Sequence, residues 1–362
     1  MEFRLAIAEA LCATPGWDGA FTAEETAAML EAPPNPDMGD FAFPCFKLAR
    51  TMRKAPPLIA ADLAGRIVLP AGVARVEALS GYLNFTLDRA ALSRAVLERI
   101  AHEGDRYGGS DVGGGRCVCI DYSSVNIAKP LHIGHLPSTV IGNALYRIYN
   151  HLGYRSVGIN HLGDWGTQFG KMIYAYKTWG SREAVERGGV DELVRLYVRF
   201  HQEAENDEAM NDAARAWFRR IEEGDAEATN LFNWFKEITL SEVQQVFDLM
   251  DIRFDSYAGE SFYNDKMGRV VDELRQKGLL KLDQGAQIVD LSAYKMPPCI
   301  ILRSDGATLY ATRDIAAALY RKDTYDFAKC LYVVAYQQSL HFRQWFKVVE
   351  LMGYPWAKDL VH

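Results

Sequence analysis

The sequence of 362 residues lacks several features that would point away from an ordinary globular protein. No run of about 18 apolar residues occurs, so we expect no membrane span. The six cysteines form no Cys-x-x-Cys pair, which favours buried thiols in a reducing compartment over a metal site. The N-terminal segment is typical of an amphipathic helix and carries an acidic residue at position 2. It is a poor secretory signal, and we expect a cytoplasmic protein.

Excess positive charge is also lacking. The net charge of -7 gives no general attraction to nucleic acid, so any such partner must be held by local basic patches. Hydrophobic residues make up 49% of the chain and charged residues 24%, which is typical of a globular protein. The length predicts two or three folding units, at roughly 100 to 200 residues each.

The order of local patterns predicts two domains. Residues 1–112 begin with a helical segment, pass through a Pro-rich stretch and end in the alternating "GYLNFTLD", which favours a small α+β domain. The glycine-rich linker "HEGDRYGGSDVGGG" marks a boundary near residue 112. Residues 113–362 begin with a strand-helix-strand unit made by "RCVCIDY", "LHIGHLPSTVIGNALYRIYNHLGY" and "RSVGINHLGDWG".

The remainder of the second domain continues this α/β pattern around an insertion. Residues 181–255 have helical periodicity throughout and predict a helical insertion. Further strands are predicted at "AQIVDLSA", "PCIILRS" and "CLYVVAY", interleaved with helices. The predicted fold class is therefore α/β, a Rossmann-type doubly wound parallel sheet with a helical insertion, preceded by the small α+β domain.

Two histidines lie where the first strand of this unit meets its helix. His132 and His135 flank Gly134, whose missing side chain allows close approach of a flat ring or a phosphate. The imidazoles and Lys129 can stabilise negative charge beside the helix N-terminus. Two alternatives remain open for the pair, a zinc site without an adjacent third ligand and polar residues that simply begin a helix.

The surroundings of these histidines carry a more specific signal. "SSVNIAKPLHIGHL" and "INHLGDWGTQFG" resemble class I aminoacyl-tRNA synthetases, and arginyl-tRNA synthetases in particular. "NPDMGDFAFPCFKLAR", "GYLNF", "DGATLYATRDIAAALYR" and "LYVVAYQQSLHFRQWF" fit the same family in the same order. The resemblance implies a Rossmann-type catalytic domain, an N-terminal domain that touches the tRNA elbow, and a C-terminal anticodon domain.

The resemblance also implies substrates and a reaction. L-arginine would react with ATP, bound with Mg²⁺ as a substrate complex, and the arginyl group would pass to tRNA(Arg). No tightly bound cofactor, protein metal ligand or membrane is implied, and we expect a monomer.

Site residues follow from matching positions in the family. The catalytic and nucleotide-binding residues would be Lys129, His132, Gly134 and His135. The arginine-binding residues would be Tyr310, Asp314 and Gln338 for the guanidinium, Asp121 and Asn126 for the α-amino end, and Ser123 and His161 as neighbours. A carboxylate suits a planar guanidinium, and Tyr310 and Asp314 lie four apart at the start of a predicted helix.

Each of the three guanidinium residues also has an ordinary structural interpretation. Asp314 could cap a helix or pair with Arg313 or Arg321. Tyr310 and Gln338 could reflect packing and loop polarity. Only their joint pattern with the histidine stretch favours a binding site.

The chain departs from the family pattern in three respects. No Lys-Met-Ser-Lys-like loop is present, since "YKMPP" precedes a strand and is followed by two prolines. The chain stops at His362, before the position of that loop and of an anticodon domain, so we expect a fragment or a truncated product. Val125 replaces a usual proline, and Pro137 replaces a usual arginine. Two other hypotheses are a non-catalytic synthetase-like module that binds arginine, nucleotide or tRNA, and a plain nucleotidylyltransferase.

Overall fold

The computed structural model describes residues 2–17, 19–127, 129, 131–304 and 306–362. The chain forms two compact units, Met1–Tyr107 and Gly108–His362. Within the described residues, no helix is both long enough and apolar enough to cross a membrane. The helices are α1 Glu2–Cys12, α2 Ala23–Met29, α3 Ala49–Met52, α4 Pro56–Arg66, α5 Arg89–Glu103, α6 Leu136–His151, α7 Thr167–Trp179, α8 Arg182–Glu203, α9 Glu208–Glu222, α10 Ala226–Leu249, α11 Met267–Gln276, α12 Tyr310–Tyr325 and α13 Ser339–Leu351. The strands are β1 Phe41–Pro44, β2 Val73–Leu79, β3 Tyr82–Leu87, β4 Cys117–Tyr122, β5 Arg155–Ile159, β6 Leu280–Asp283, β7 Ala286–Val289, β8 Cys299–Leu302, β9 Lys329–Val333 and β10 Leu360–Val361.

The first unit contains an antiparallel sheet of order β1-β3-β2 with helices packed on it. β3 lies in the centre, and its alternating pattern buries Leu83, Phe85 and Leu87 in the core. Ser80 and Gly81, which join β2 to β3, both have positive φ, as a two-residue hairpin turn requires. The unit has the small α+β architecture that the sequence predicts.

The second unit is built on a parallel sheet of order β10-β9-β4-β5. Every residue of β4 is buried, because the sheet has a hydrophobic core on each face. Helix α6 connects β4 to β5 and packs on both strands. This β4-α6-β5 unit confirms the strand-helix-strand prediction and places the loops after β4 and β9 at one edge of the sheet.

The helical insertion is present where the periodicity predicts it. Helices α8, α9 and α10 occupy this segment and bury apolar residues on one face each. A kink at Gly189, with φ of 55°, divides α8. At this kink the backbone N–H of Val190 donates to Glu242 Oε1 at 2.7 Å, and this bond joins α8 to α10.

Two predicted strands lie in a different sheet from the one expected. "AQIVDLSA" and "PCIILRS" contribute β7 and β8, which form an antiparallel sheet with β6, whereas "CLYVVAY" supplies β9 of the parallel sheet. The cause is a tight turn at Gln284 and Gly285, both with positive φ. A two-residue turn can join only antiparallel neighbours, so β6 and β7 cannot enter the parallel sheet side by side.

Candidate functional site

A cleft of about 510 Å³ opens beyond the carboxyl ends of β4 and β9. These strands are parallel neighbours, so the polar loops that follow them meet at one edge. Helix α12 contributes one face to the same cleft, with Tyr310, Asp314, Ala317 and Arg321. The structure thus brings together six of the residues predicted to bind arginine, namely Asp121, Asn126, His161, Tyr310, Asp314 and Gln338.

The loop after β4 is held in an unusual conformation. Ser123 and Ser124 both have positive φ, 72° and 50°, a region that non-glycine residues seldom occupy and that costs about 1 kcal/mol or more per residue. The loop is fastened to Gly163, whose N–H donates to Val125 O at 2.9 Å. A Cβ on Gly163 would lie 2.3 Å from Asn126 Oδ1, so this glycine permits Asn126 to reach the cleft.

Ser123 lies beneath the cleft surface. It is buried, and its hydroxyl accepts a hydrogen bond from Thr139 Oγ1 of α6 at 2.9 Å. Thr139 thereby connects α6, the helix that follows His132 and His135, to the loop that carries Asn126. Of the predicted arginine-binding residues, Ser123 is the one that the structure places behind the site rather than on its wall.

Asp121 lies in the cleft, and its negative charge is paired with Arg321. Arg321, 1% exposed, donates from Nη2 to Asp121 Oδ2 at 2.8 Å, and Ser124 Oγ donates to Oδ1 at 3.1 Å. Arg321 Nη2 also lies 3.4 Å from His161 Nδ1. Burial lowers the pKa of His161, which favours a neutral ring that can accept this bond. This arrangement favours a role for Asp121 in positioning its neighbours, and its contact with an α-amino group stays a prediction.

Asp314 has a partner that the sequence did not indicate. His341 Nε2 lies 2.6 Å from Asp314 Oδ2 across the cleft wall between α13 and α12. The alternative partners Arg313 and Arg321 pair instead with Glu260, at 3.6 Å, and with Asp121. The carboxylate therefore belongs to the cleft rather than to an ion pair along its own helix.

Tyr310 and Gln338 are two exposed residues of the cleft wall. Tyr310 begins α12 and is 65% exposed, and Gln338 stands immediately before α13. Both side chains are therefore accessible to a ligand in the cleft.

Glu260 is a further cleft residue that sequence reasoning missed. It begins a short 3-10 helix, Glu260–Lys266, after the insertion and carries no motif signal. Burial raises the pKa of Glu260 to about 7, although Arg313 opposes this shift. Glu260 lies near Asp314 in the same cleft. Carboxyl groups whose pKa is raised toward neutral pH are common in functional sites.

The histidine turn begins α6 and is internally hydrogen bonded. His132 Nδ1 accepts from the Gly134 N–H at 3.1 Å, and His135 Nδ1 accepts from the His132 N–H at 3.3 Å. A Cβ on Gly134 would lie 2.9 Å from His132 Cε1, so a larger residue here would displace the His132 ring. These bonds support the interpretation as a helix start, while exposure of His132 and of Lys129 leaves both available to an anion.

The electrostatics of this turn suit a phosphate. Burial, together with nearby His132 and Lys129, lowers the pKa of His135. A neutral ring with Nδ1 as acceptor has its proton on Nε2, which can donate.

Pro137 stands in the first turn of α6 without interrupting it, because N–H groups there lack helical partners. Among the described residues, no group of three or more His, Cys, Asp or Glu could hold a metal ion.

A second cleft, of about 780 Å³, shares Tyr310 with the first. Its wall combines aromatic, cationic and amide side chains, including Trp165, Phe218, Asn264 and Arg313. Asn264 Oδ1 and Arg313 Nε are buried and have no hydrogen-bond partner within the described part of the chain. Such a surface can take a polar ligand that carries aromatic rings.

The fold and site define a class of protein. A parallel sheet with a His-x-Gly-His turn at the first strand-helix junction and a polar cleft beside it is the arrangement of a class I tRNA synthetase. The family model described as "tRNA synthetases class I (R), catalytic domain" matches residues 97–362, and "Arginyl tRNA synthetase N terminal domain" matches residues 1–87. The chain belongs to the arginyl branch of the class I tRNA synthetase family.

Similar proteins agree with this assignment. The chain is 56% identical over 338 residues to the arginine--tRNA ligase of Alkaliphilus metalliredigens (strain QYMF), covering 93% of this chain and 60% of that protein. It is 57% identical over 339 residues to the arginine--tRNA ligase of Clostridioides difficile (strain 630), covering 94% and 60%. The chain thus spans about 60% of the length of these relatives.

Solved structures show the same fold. The arginyl-tRNA synthetase of Thermus thermophilus superposes with a TM-score of 0.68 at 24% identity, covering 99% of this chain and 65% of that one. The enzyme from Plasmodium falciparum gives 0.66 at 22% identity, covering 92% and 60%.

Proposed function

We propose that this chain carries the tRNA-contacting and catalytic parts of an arginine--tRNA ligase. The observation that supports this most directly is the cleft that gathers Asp314, Tyr310, Gln338 and Asn126. A guanidinium is planar, permanently charged and rich in N–H donors, so it requires a carboxylate with further acceptors around it. Asp314 supplies the charge, and the phenol oxygen of Tyr310 and the amide oxygen of Gln338 supply further acceptors.

The proposed reaction has two steps. The carboxylate of L-arginine attacks the α-phosphorus of ATP, bound as its Mg²⁺ complex, and forms arginyl-adenylate with release of pyrophosphate. A hydroxyl of the terminal ribose of tRNA(Arg) then attacks the acyl carbon and AMP leaves. No protein nucleophile takes part. His132, His135 and Lys129 stabilise charge on the phosphates, while Gly134 allows the nucleotide to approach the backbone.

The chain has two candidate surfaces for tRNA, one in each unit. The second cleft adjoins the proposed arginine site through Tyr310, which suits the 3′ end of tRNA. In the first unit, a groove of about 210 Å³ is lined by Tyr82 and Asn84, by the polar residues Glu31 and Ser80, and by apolar neighbours. An aromatic ring beside an amide can stack on an unpaired base and read its edge. We therefore propose that this groove contacts the tRNA elbow.

Participation in protein synthesis places the proposed activity in the cytoplasm, and we propose a monomer. Residues 1–112 and 113–362 remain our proposed functional domains. A non-catalytic module that binds arginine, nucleotide or tRNA is the alternative, and turnover decides between the two.

Arginine binding tests the pocket directly. Asp314→Asn keeps the shape of the side chain but removes its charge, so we expect the affinity for L-arginine to fall by about 1.5 to 3 kcal/mol, or roughly 10- to 150-fold. Isothermal titration with L-arginine measures the change. Asp323→Asn is the matched control, because Asp323 lies on the same helix and is exposed. Equal affinities of the parent chain and of Asp314→Asn would refute the pocket assignment.

Exchange of labelled pyrophosphate into ATP, dependent on arginine, tests the chemistry. The exchange is measured with and without tRNA(Arg). Arginine-dependent exchange supports the ligase, whereas arginine binding without exchange in either condition favours the non-catalytic module.

A further inference from the structure

His341 and Asp314 form a cross-helix pair inside the 510 Å³ cleft. His341 lies in the first turn of α13, and Asp314 lies in the second turn of α12. Their 2.6 Å contact joins His341 Nε2 to Asp314 Oδ2. The side chains are 32% and 24% exposed, so this pair is more shielded from water than an ordinary surface ion pair.

The contact with His341 engages only one of the two oxygens of the Asp314 carboxylate. Oδ2 is engaged by the imidazole, while Oδ1 has no hydrogen-bond partner among the residues that the structure describes. An aspartate on a helix can otherwise rotate about two side-chain bonds, so a fixed Oδ2 also fixes the direction of Oδ1. One oxygen of Asp314 is therefore oriented in advance for a cation that enters the cleft.

The nearby arginines of α12 are paired with other carboxylates. Arg313 is paired with Glu260, and Arg321, further along the helix, is paired with Asp121. His341 approaches Asp314 from α13, so the partner of this carboxylate comes from a different helix.

We propose that His341 is a positioning residue, which donates from Nε2 to one oxygen of Asp314 so that the other oxygen is presented to the guanidinium of arginine. This inference rests on the proposed function, since it assumes that Asp314 binds the substrate. His341 itself need not touch arginine. Its effect is exerted through the direction of the Asp314 carboxylate.

The length of the side chain at position 341 provides the test. The amide nitrogen of glutamine reaches about as far as Nε2 of histidine, whereas that of asparagine reaches only as far as Nδ1. His341→Gln should therefore keep the Kd for L-arginine within about threefold of the parent. His341→Asn should raise it roughly 5- to 20-fold, less than the full loss of a hydrogen bond to a charged group, because the contact between Asp314 and arginine is weakened rather than removed. The Kd for ATP should change by less than about twofold in both variants, since neither alters the histidine turn.

A double-variant cycle separates positioning from a general structural effect. If His341 acts through Asp314, then His341→Asn should add less than about twofold to the loss already caused by Asp314→Asn. A full 5- to 20-fold further loss in the double variant would overturn the proposal, as would equal arginine affinities of the Gln and Asn variants. Failure of Asp314→Asn itself to weaken arginine binding would instead overturn the proposed function.

Discussion

The raised pKa of Glu260 predicts an unusual dependence of stability on pH. A glutamate carboxyl titrates near 4.5 when unperturbed, and burial moves the pKa of Glu260 to about 7 in the folded chain. The folded state therefore binds a proton more tightly than the unfolded state does. Stability contributed by this proton is present below about pH 4.5 and is lost progressively as the pH rises toward 7.

The magnitude follows from the size of the shift. The difference between 4.5 and about 7 corresponds to roughly 3 kcal/mol at 1.36 kcal/mol per pKa unit. The side chain is 17% exposed, so screening by water reduces this value to about 2 to 3 kcal/mol. Glu260→Gln resembles the protonated carboxyl at every pH. We therefore expect the free energy of unfolding of this variant, minus that of the parent, to rise by about 2 to 3 kcal/mol between pH 4.5 and 8.

Urea unfolding of both proteins at several pH values in this range measures the difference. Subtraction cancels the titration of all other groups that the substitution leaves unchanged. Glu183→Gln is the matched control, because it makes the same substitution at a glutamate that is 86% exposed on α8. A flat difference for Glu260→Gln, or one that falls as the pH rises, would show that the folded state does not favour the protonated carboxyl.

Two further predictions concern packing and buried charge. In Gly142→Ala, the new Cβ would lie 2.2 Å from Tyr122 Cβ, so we expect the free energy of unfolding, measured with urea, to fall by about 1 to 3 kcal/mol. The same substitution at an open site in a helix would raise it. An increase in Gly142→Ala would contradict the close packing of α6 on β4. In Asp164→Asn, the carboxylate that accepts from Lys236 Nζ at 2.5 Å and from Ser261 Oγ at 2.7 Å loses its charge. Asp164 is 0% exposed but Lys236 is 24% exposed, so we expect a loss of roughly 2 to 4 kcal/mol, less than for a fully buried pair. A loss below about 1 kcal/mol would show that the charge of Asp164 contributes little to stability.

Local sequence patterns were sufficient for much of the fold. The apolar run of β4, the periodicity of α6 and the strand β5 identified the parallel unit, because each pattern depends on neighbours along the chain. The helical insertion was visible for the same reason. The strands β7 and β8 were predicted correctly but lie in a separate antiparallel sheet with β6, since an apolar run alone does not indicate which strand will be its partner.

The candidate site divides in the same way. The motif positions predicted that Asn126, Tyr310, Asp314 and Gln338 belong together, and the structure places all four on one cleft. The motifs carried no information about how Asp314 is held.

What the sequence by itself determined is the family, the two-part organisation and six of the residues that line the cleft, because these are encoded in local periodicity and in short motifs. Only the tertiary structure decided the pairings of Asp121 with Arg321 and of Asp314 with His341, and the raised pKa of Glu260. Those properties depend on charges brought together from separate helices and strands and on the water excluded around them. Distance and burial in three dimensions set their strength, and neither can be read from the order of residues along the chain.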